Sequence, residues 1–247
     1  MRALSACALL VATLAGGCVS QKRVERAEAR VDLGSAYLRE GNAPGALQVL
    51  RDATDIDPRS WNAWNKLGLA YMAQSAYESA ESCFKRALRL DPNAEVRNNY
   101  GYLLLRTGDL DGAIAQFEIA LTDLTYRKPA VVLSNLGQAL HRAGRYEEAV
   151  LRLSAAIERA PNVCQARFNR GLSYAALGTR DRALEDFEVV INLCGDSASG
   201  AYYQAARLLV EMDDRTGACS YLKVVMSDAN RSNLGDAASD LHARVCL

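Results

Sequence analysis

Between Trp61 and Asn93 the chain places Trp64, Leu67, Gly68, Tyr71, Ala80, Phe84, Ala87 and Pro92 at positions 4, 7, 8, 11, 20, 24, 27 and 32 of a unit about 34 residues long. That spacing has a packing reason. Two antiparallel helices approach closely only where the facing residues are small, here Gly68 and Ala80, while Trp64, Leu67, Tyr71 and Phe84 fill the seam at helical period. Ala87 keeps the second helix thin where the next unit must pack. Pro92 cannot continue a helix and turns the chain onward.

The pattern resembles the tetratricopeptide repeat, a helix–turn–helix unit that stacks on copies of itself. Registering the rest of the sequence on it gives six units, at 27–60, 61–93, 94–129, 130–163, 164–198 and 199–232, followed by a capping helix over 233–247. The expected fold is all-α, a right-handed superhelical solenoid. Gly41, Gly108, Gly144 and Gly178 fall at position 15, where the chain leaves the first helix and a left-handed residue is needed. The third unit lacks its closing proline, has Thr125 there, and runs two residues long to Pro129. The sixth keeps Ala206, Leu209, Ala218, Leu222 and Val225 without Gly or Pro at the pattern's positions, as terminal units of a stack commonly do.

Ahead of the repeats, Met1-Arg2 and the apolar run Ala3–Ala15 read as a secretory signal peptide over 1–17. The run is shorter than the roughly 20 residues a membrane-crossing helix needs. Leu14-Ala15-Gly16-Gly17-Cys18 resembles the lipobox of bacterial lipoproteins. That resemblance implies cleavage before Cys18 and acylation there, and Val19 in place of the usual inner-membrane Asp implies the periplasmic face of an outer membrane. Residues 18–26 then form a charged, poorly packed lipidated tether.

Export places the remaining cysteines in a disulfide-permissive compartment. Cys164 begins the first helix of unit five and Cys194 ends the second. Cys219 begins the second helix of unit six, and Cys246 ends the helix expected to cover it. Both pairs can come within bridging distance, while free packing of all five cysteines remains the alternative. Cys83 is left as a small buried residue.

Net charge is zero, with charges interspersed, which lacks the basic footprint of a nucleic-acid binder. Two histidines, His141 and His242, stand far apart in the repeats, and no phosphate-loop, dinucleotide or zinc-protease spacing occurs. An enzyme, a cofactor or a small-molecule substrate is therefore not expected. A concave face built by the first helices is. Its lining, from positions 2, 5, 9, 12 and 13, includes Asn62, Asn65, Leu69, Met72, Asn98, Tyr102, Leu105, Arg106, Gln138 and His141. The apolar strip Leu69, Met72, Tyr102 and Leu105, flanked by amides, suits a peptide segment.

The lengthened third unit carries Asn98-Asn99-Tyr100-Gly101, Asp123-Leu124-Thr125-Tyr126 and Pro129, with Asn135-Leu136-Gly137 following. On a lipobox-bearing chain of six repeats, it resembles the pilotin family of type IV pilus assembly (the PilF and PilW type). The cysteine-bearing tail is nearest to that family's myxobacterial members. The resemblance implies a membrane-anchored adaptor that binds secretin subunits and promotes their insertion and multimerisation in the outer membrane. A scaffold for envelope enzymes such as peptidoglycan hydrolases is the rival reading.

Overall fold

A computed structural model describes residues 4–195, 198–227 and 234–246, with side chains from residue 21 onward. The expected signal peptide, Cys18 and the start of the tether lie outside the described side chains. The junction at 232–233 lies outside the described residues. Among the described residues there are thirteen helices and no strand, a tetratricopeptide solenoid fold.

The chain divides into two compact units, residues 1–109 and 110–247. The first holds α1 (Leu4–Arg39), α2 (Ala43–Ile56), α3 (Trp61–Ala73), α4 (Tyr77–Leu90) and α5 (Ala94–Thr107). Side chains 21–26 are exposed on α1, yet one is docked: Arg23 donates from Nε and Nη2 to the Ile56 carbonyl at 3.1 and 2.7 Å. Side chains of Asn42, Ser60 and Asn93 accept hydrogen bonds from the backbone N–H three residues on, starting α2, α3 and α5.

Glycines of the first helix in each pair make room for a large residue of the second. A Cβ on Gly34 would lie 2.5 Å from Leu50 Cγ, and one on Gly68 would lie 2.7 Å from Phe84 Cε1. The sequence pairs Gly68 with Ala80 at the crossing. Ala80 is fully buried, but the group that fills the space above Gly68 is the Phe84 ring. One core cluster joins Val31, Ala46, Leu50, Leu67 and Cys83, and a second joins Ala80, Phe84, Ala87, Val96 and Leu103. Each draws on at least two helix pairs, so no pair closes its own core. Burial pushes the Cys83 thiol up to about 11, which keeps it protonated.

The second unit holds α6 (Leu110–Leu121), α7 (Pro129–Arg142), α8 (Tyr146–Arg159), α9 (Cys164–Ala176), α10 (Arg180–Cys194), α11 (Ser199–Glu211), α12 (Arg215–Ser227) and α13 (Gly235–Val245). Pro129, read as the last residue of repeat three, opens α7 instead, where its missing N–H costs nothing. Gly137 makes room for Leu153, and Gly171 for Phe187. In the degenerate sixth repeat Ala206 clusters with Leu222, Val225 and Ala238, and Tyr202 and Tyr221 pack edge to face at 5.4 Å. Cys164 is bridged to Cys194 and Cys219 to Cys246, with Cα separations of 6.6 and 5.9 Å. These tie α9 to α10, and α12 to the residue after α13.

Position 15 is left-handed in all six repeats. Four glycines hold it at φ 75°, 93°, 75° and 74°, and Ser75 (57°) and Asp213 (64°) hold it without glycine's freedom.

Candidate functional site: the first-helix faces

In the first unit, α3 and α5 are tied side by side by a polar ladder. Lys66 Nζ and Asn65 Nδ2 donate to Glu95 Oε1 at 2.8 and 3.2 Å, Asn99 Nδ2 donates to Asn65 Oδ1 at 3.0 Å, and Asn98 Nδ2 donates to Asn99 Oδ1 at 3.4 Å. Asn65 is wholly buried and Asn98 nearly so. Of these two amides, both read from the sequence as partner contacts, Asn65 is spent on holding the helices in register and Asn98 is buried against its neighbour Asn99. Lys66, absent from that reading, is part of the tie.

Leu105 is a second correction. It is 1% exposed and so belongs to the core rather than to the strip. What the unit presents is narrower: Asn62, Leu69, Met72 and Tyr102 are half-buried, and Arg106 is exposed. Leu69 and Met72 lean on the Phe84 cluster, which fixes them from beneath. Arg106 is held by the hydroxyls of Tyr102 and Tyr77, whose hydrogen bonds push its guanidinium further up, and the bond to Tyr77 Oη measures 3.3 Å. Tyr77, at the start of α4, completes this edge. It falls at position 17, outside the eight positions that define the pattern, so the spacing does not mark it. The result is an apolar strip with a fixed cation at one side, suited to a peptide segment with an acidic or carbonyl-rich flank.

In the second unit Gln138 and His141 lie half-buried on α7. His141 Nδ1 lies 3.0 Å from Ser173 Oγ on α9. The Ser173 hydroxyl donates to the Asn169 carbonyl at 2.8 Å, so the imidazole must be the donor to Ser173 and carries its proton on Nδ1. Burial lowers its pKa, and the Tyr146 ring sits 5.4 Å away. Next to it, Arg170 donates from Nε and Nη2 to the two carboxylate oxygens of Asp186 at 2.8 and 2.7 Å, and from Nη1 to Ser154 at 3.0 Å. That clamp ties α8, α9 and α10. Among the described residues no group of three or more His, Cys, Asp and Glu side chains could hold a metal ion.

Sequence profiles described as "Tetratricopeptide repeat" match residues 65–126 and 134–202, and one described as "TPR repeat" matches residues 34–75. The type IV pilus assembly protein PilF of Pseudomonas aeruginosa is 34% identical over 116 residues, covering 47% of this chain and 46% of that protein. The chain thus spans less than half the length of the first curated relatives it matches. Among solved structures, PilW, titled a widely conserved type IV pilus biogenesis factor, superposes with a TM-score of 0.78 at 22% identity, covering 85% of this chain and 97% of that one. The Pseudomonas aeruginosa PilF structure gives 0.77 at 23% identity, covering 89% and 99%. At those identities the likeness is one of fold.

Proposed function

This chain belongs to the tetratricopeptide repeat family, and from that premise we propose that it captures a protein partner in type IV pilus assembly on the α3–α5 face of its first unit. The partner class is the secretin subunit, and the role is that of a pilotin, promoting outer-membrane insertion and multimerisation of the ring. The similarity to PilF supports the pilus setting. The observation that carries the capture reading is the pair Leu69 and Met72, fixed from below by the Phe84 cluster, with half-buried Tyr102 on α5 and Arg106 at the flank.

Acylation at Cys18 anchors the chain at the periplasmic face of the outer membrane in this reading. Each buried methylene adds about 0.8 kcal/mol, and two or more acyl chains give stable anchoring. An anchored face raises the local concentration of captured subunits without any new contact. No bond is made or broken in such a role.

The test is Tyr102→Asp combined with Arg106→Glu, two residues outside the Phe84 cluster. Secretin ring assembly in the envelope is expected to be lost while helical content and thermal midpoint stay at the wild-type values. Normal rings in that variant would defeat the assignment. Cys18→Ala is expected to retain binding in solution and lose membrane placement.

A further inference from the structure

The start of α9, the end of α10 and the start of α11 line a solvent-open pocket of about 560 Å³. This lies within the range of sites that take a discrete organic group, roughly 300–1,000 Å³. Among the described residues, none of the lining side chains carries a charge. Its walls are the Phe168 ring, Val190, small residues of α11 including Gly200, and the Cys164–Cys194 bridge itself, and among the described residues its polar side chain is the exposed Gln165. The site is preformed: the bridge fixes the start of α9 against the end of α10, and Phe168 leans on the buried Phe187 ring at 5.7 Å. A rigid site spends less ordering entropy on binding.

We propose that this cavity is a second capture point, which takes an aromatic side chain from an extended segment of a bound protein. The lining selects that chemistry. A phenyl face and divalent sulfur both favour an aromatic ring over an alkyl group of the same size. The lining side chains among the described residues offer an ionic group no partner. Gln165 can meet an indole N–H or a phenol hydroxyl. At Gly200 a Cβ would make ordinary contact with Phe168, at 3.5 Å, so a side chain can be introduced there without strain. A longer side chain would extend along that ring into the cavity. The inference rests on the protein-capture reading above but on a different part of the chain.

The test uses the full oxidised chain, with labelled Ala and Val methyl groups, titrated with N-acetyl-tryptophanamide and followed by NMR. Shifts are expected at Ala198, Ala201 and Val190, with a dissociation constant of about 0.1–1 mM, the range for a fragment of this size. A short peptide with a central tryptophan is expected to bind more tightly, N-acetyl-leucinamide more weakly, and Gly200→Leu to weaken the amide about tenfold or more by filling the space. No binding, shifts confined to other methyls, or equal binding of the leucine amide would overturn the proposal. So would a peptide no tighter than the amide, which would assign the cavity to a free small aromatic. The methyl map needs no variant, so it decides the matter even where Gly200→Leu does not fold. Failure here leaves the α3–α5 face untouched, because the ring-assembly test does not involve this cavity.

Discussion

Gly68 on α3 lies directly beneath the ring of Phe84 on α4, so close that one added carbon would sit 2.7 Å from Phe84 Cε1 and 2.9 Å from Cδ1 and Cζ. Phe84 is fully buried, with a core that extends to Val96 and Leu103 of the next helix. The same arrangement recurs at Gly34 with Leu50, Gly137 with Leu153 and Gly171 with Phe187. In these four pairs it is the contact that sets how closely the helices can approach.

Gly68→Leu is therefore expected to destabilise the protein by about 1–3 kcal/mol or more through overpacking, measured by urea unfolding. Because the Phe84 cluster includes residues of α5, amide exchange should accelerate in α5 as well as in α3 and α4. Damage confined to residues 61–93 would contradict the shared-core account. Gly68→Ala combined with Phe84→Leu copies the Ala206 and Leu222 pair of the sixth repeat, and should cost less than Gly68→Ala alone plus Phe84→Leu alone.

Asp186 accepts two hydrogen bonds from Arg170 at 2.7 and 2.8 Å and has the Arg167 guanidinium 3.9 Å away, and its side chain is 4% exposed. Removing one partner of a buried pair leaves the other charge uncompensated. Asp186→Ala is expected to cost about 3–5 kcal/mol, and Asp186→Leu with Arg170→Met much less, since the pair repays little more than its own desolvation. Equal losses in the single and double variants would show that packing, not charge, is what matters there.

His141 gives the second unit a signed pH dependence. Burial holds its folded-state pKa below the ordinary 6.5, so the unfolded chain takes up the proton first as the solution is acidified. The contribution is intact above about pH 6.5, declines as pH falls through the window below it, and levels off under the folded value. His141→Gln, which can still donate to Ser173, should lose less thermal stability than wild type between pH 7.5 and 5. An unchanged or steeper loss in the variant would show that another group drives the transition.

The repeats were legible because their signals are local. A small residue at position 8, Ala at 20, a large residue at 24 and a left-handed site at 15 each answer to the geometry of one helix pair. The face was only partly legible. Position rules place Leu105, Asn65 and Asn98 on a binding strip, but each is buried, because burial depends on which neighbouring helix covers a position and not on that position's place in its own helix. The Asn65–Asn99–Glu95 ladder joins successive repeats and has no period within either. Ser75 and Asp213 went unmarked at position 15 because they hold a glycine conformation without being glycine. Tyr77 was missed because only its bond to Arg106, contributed by another helix, reveals it.

The most direct measurement is an affinity capture from detergent-solubilised envelopes, using the wild-type chain and the Tyr102→Asp, Arg106→Glu variant side by side. The account predicts that wild type retains a detergent-resistant, pore-forming multimer and that the variant, equally folded, retains none. Recovery of the same multimer by both proteins would contradict it, and recovery of peptidoglycan hydrolases by wild type alone would transfer the face to a scaffold for envelope enzymes.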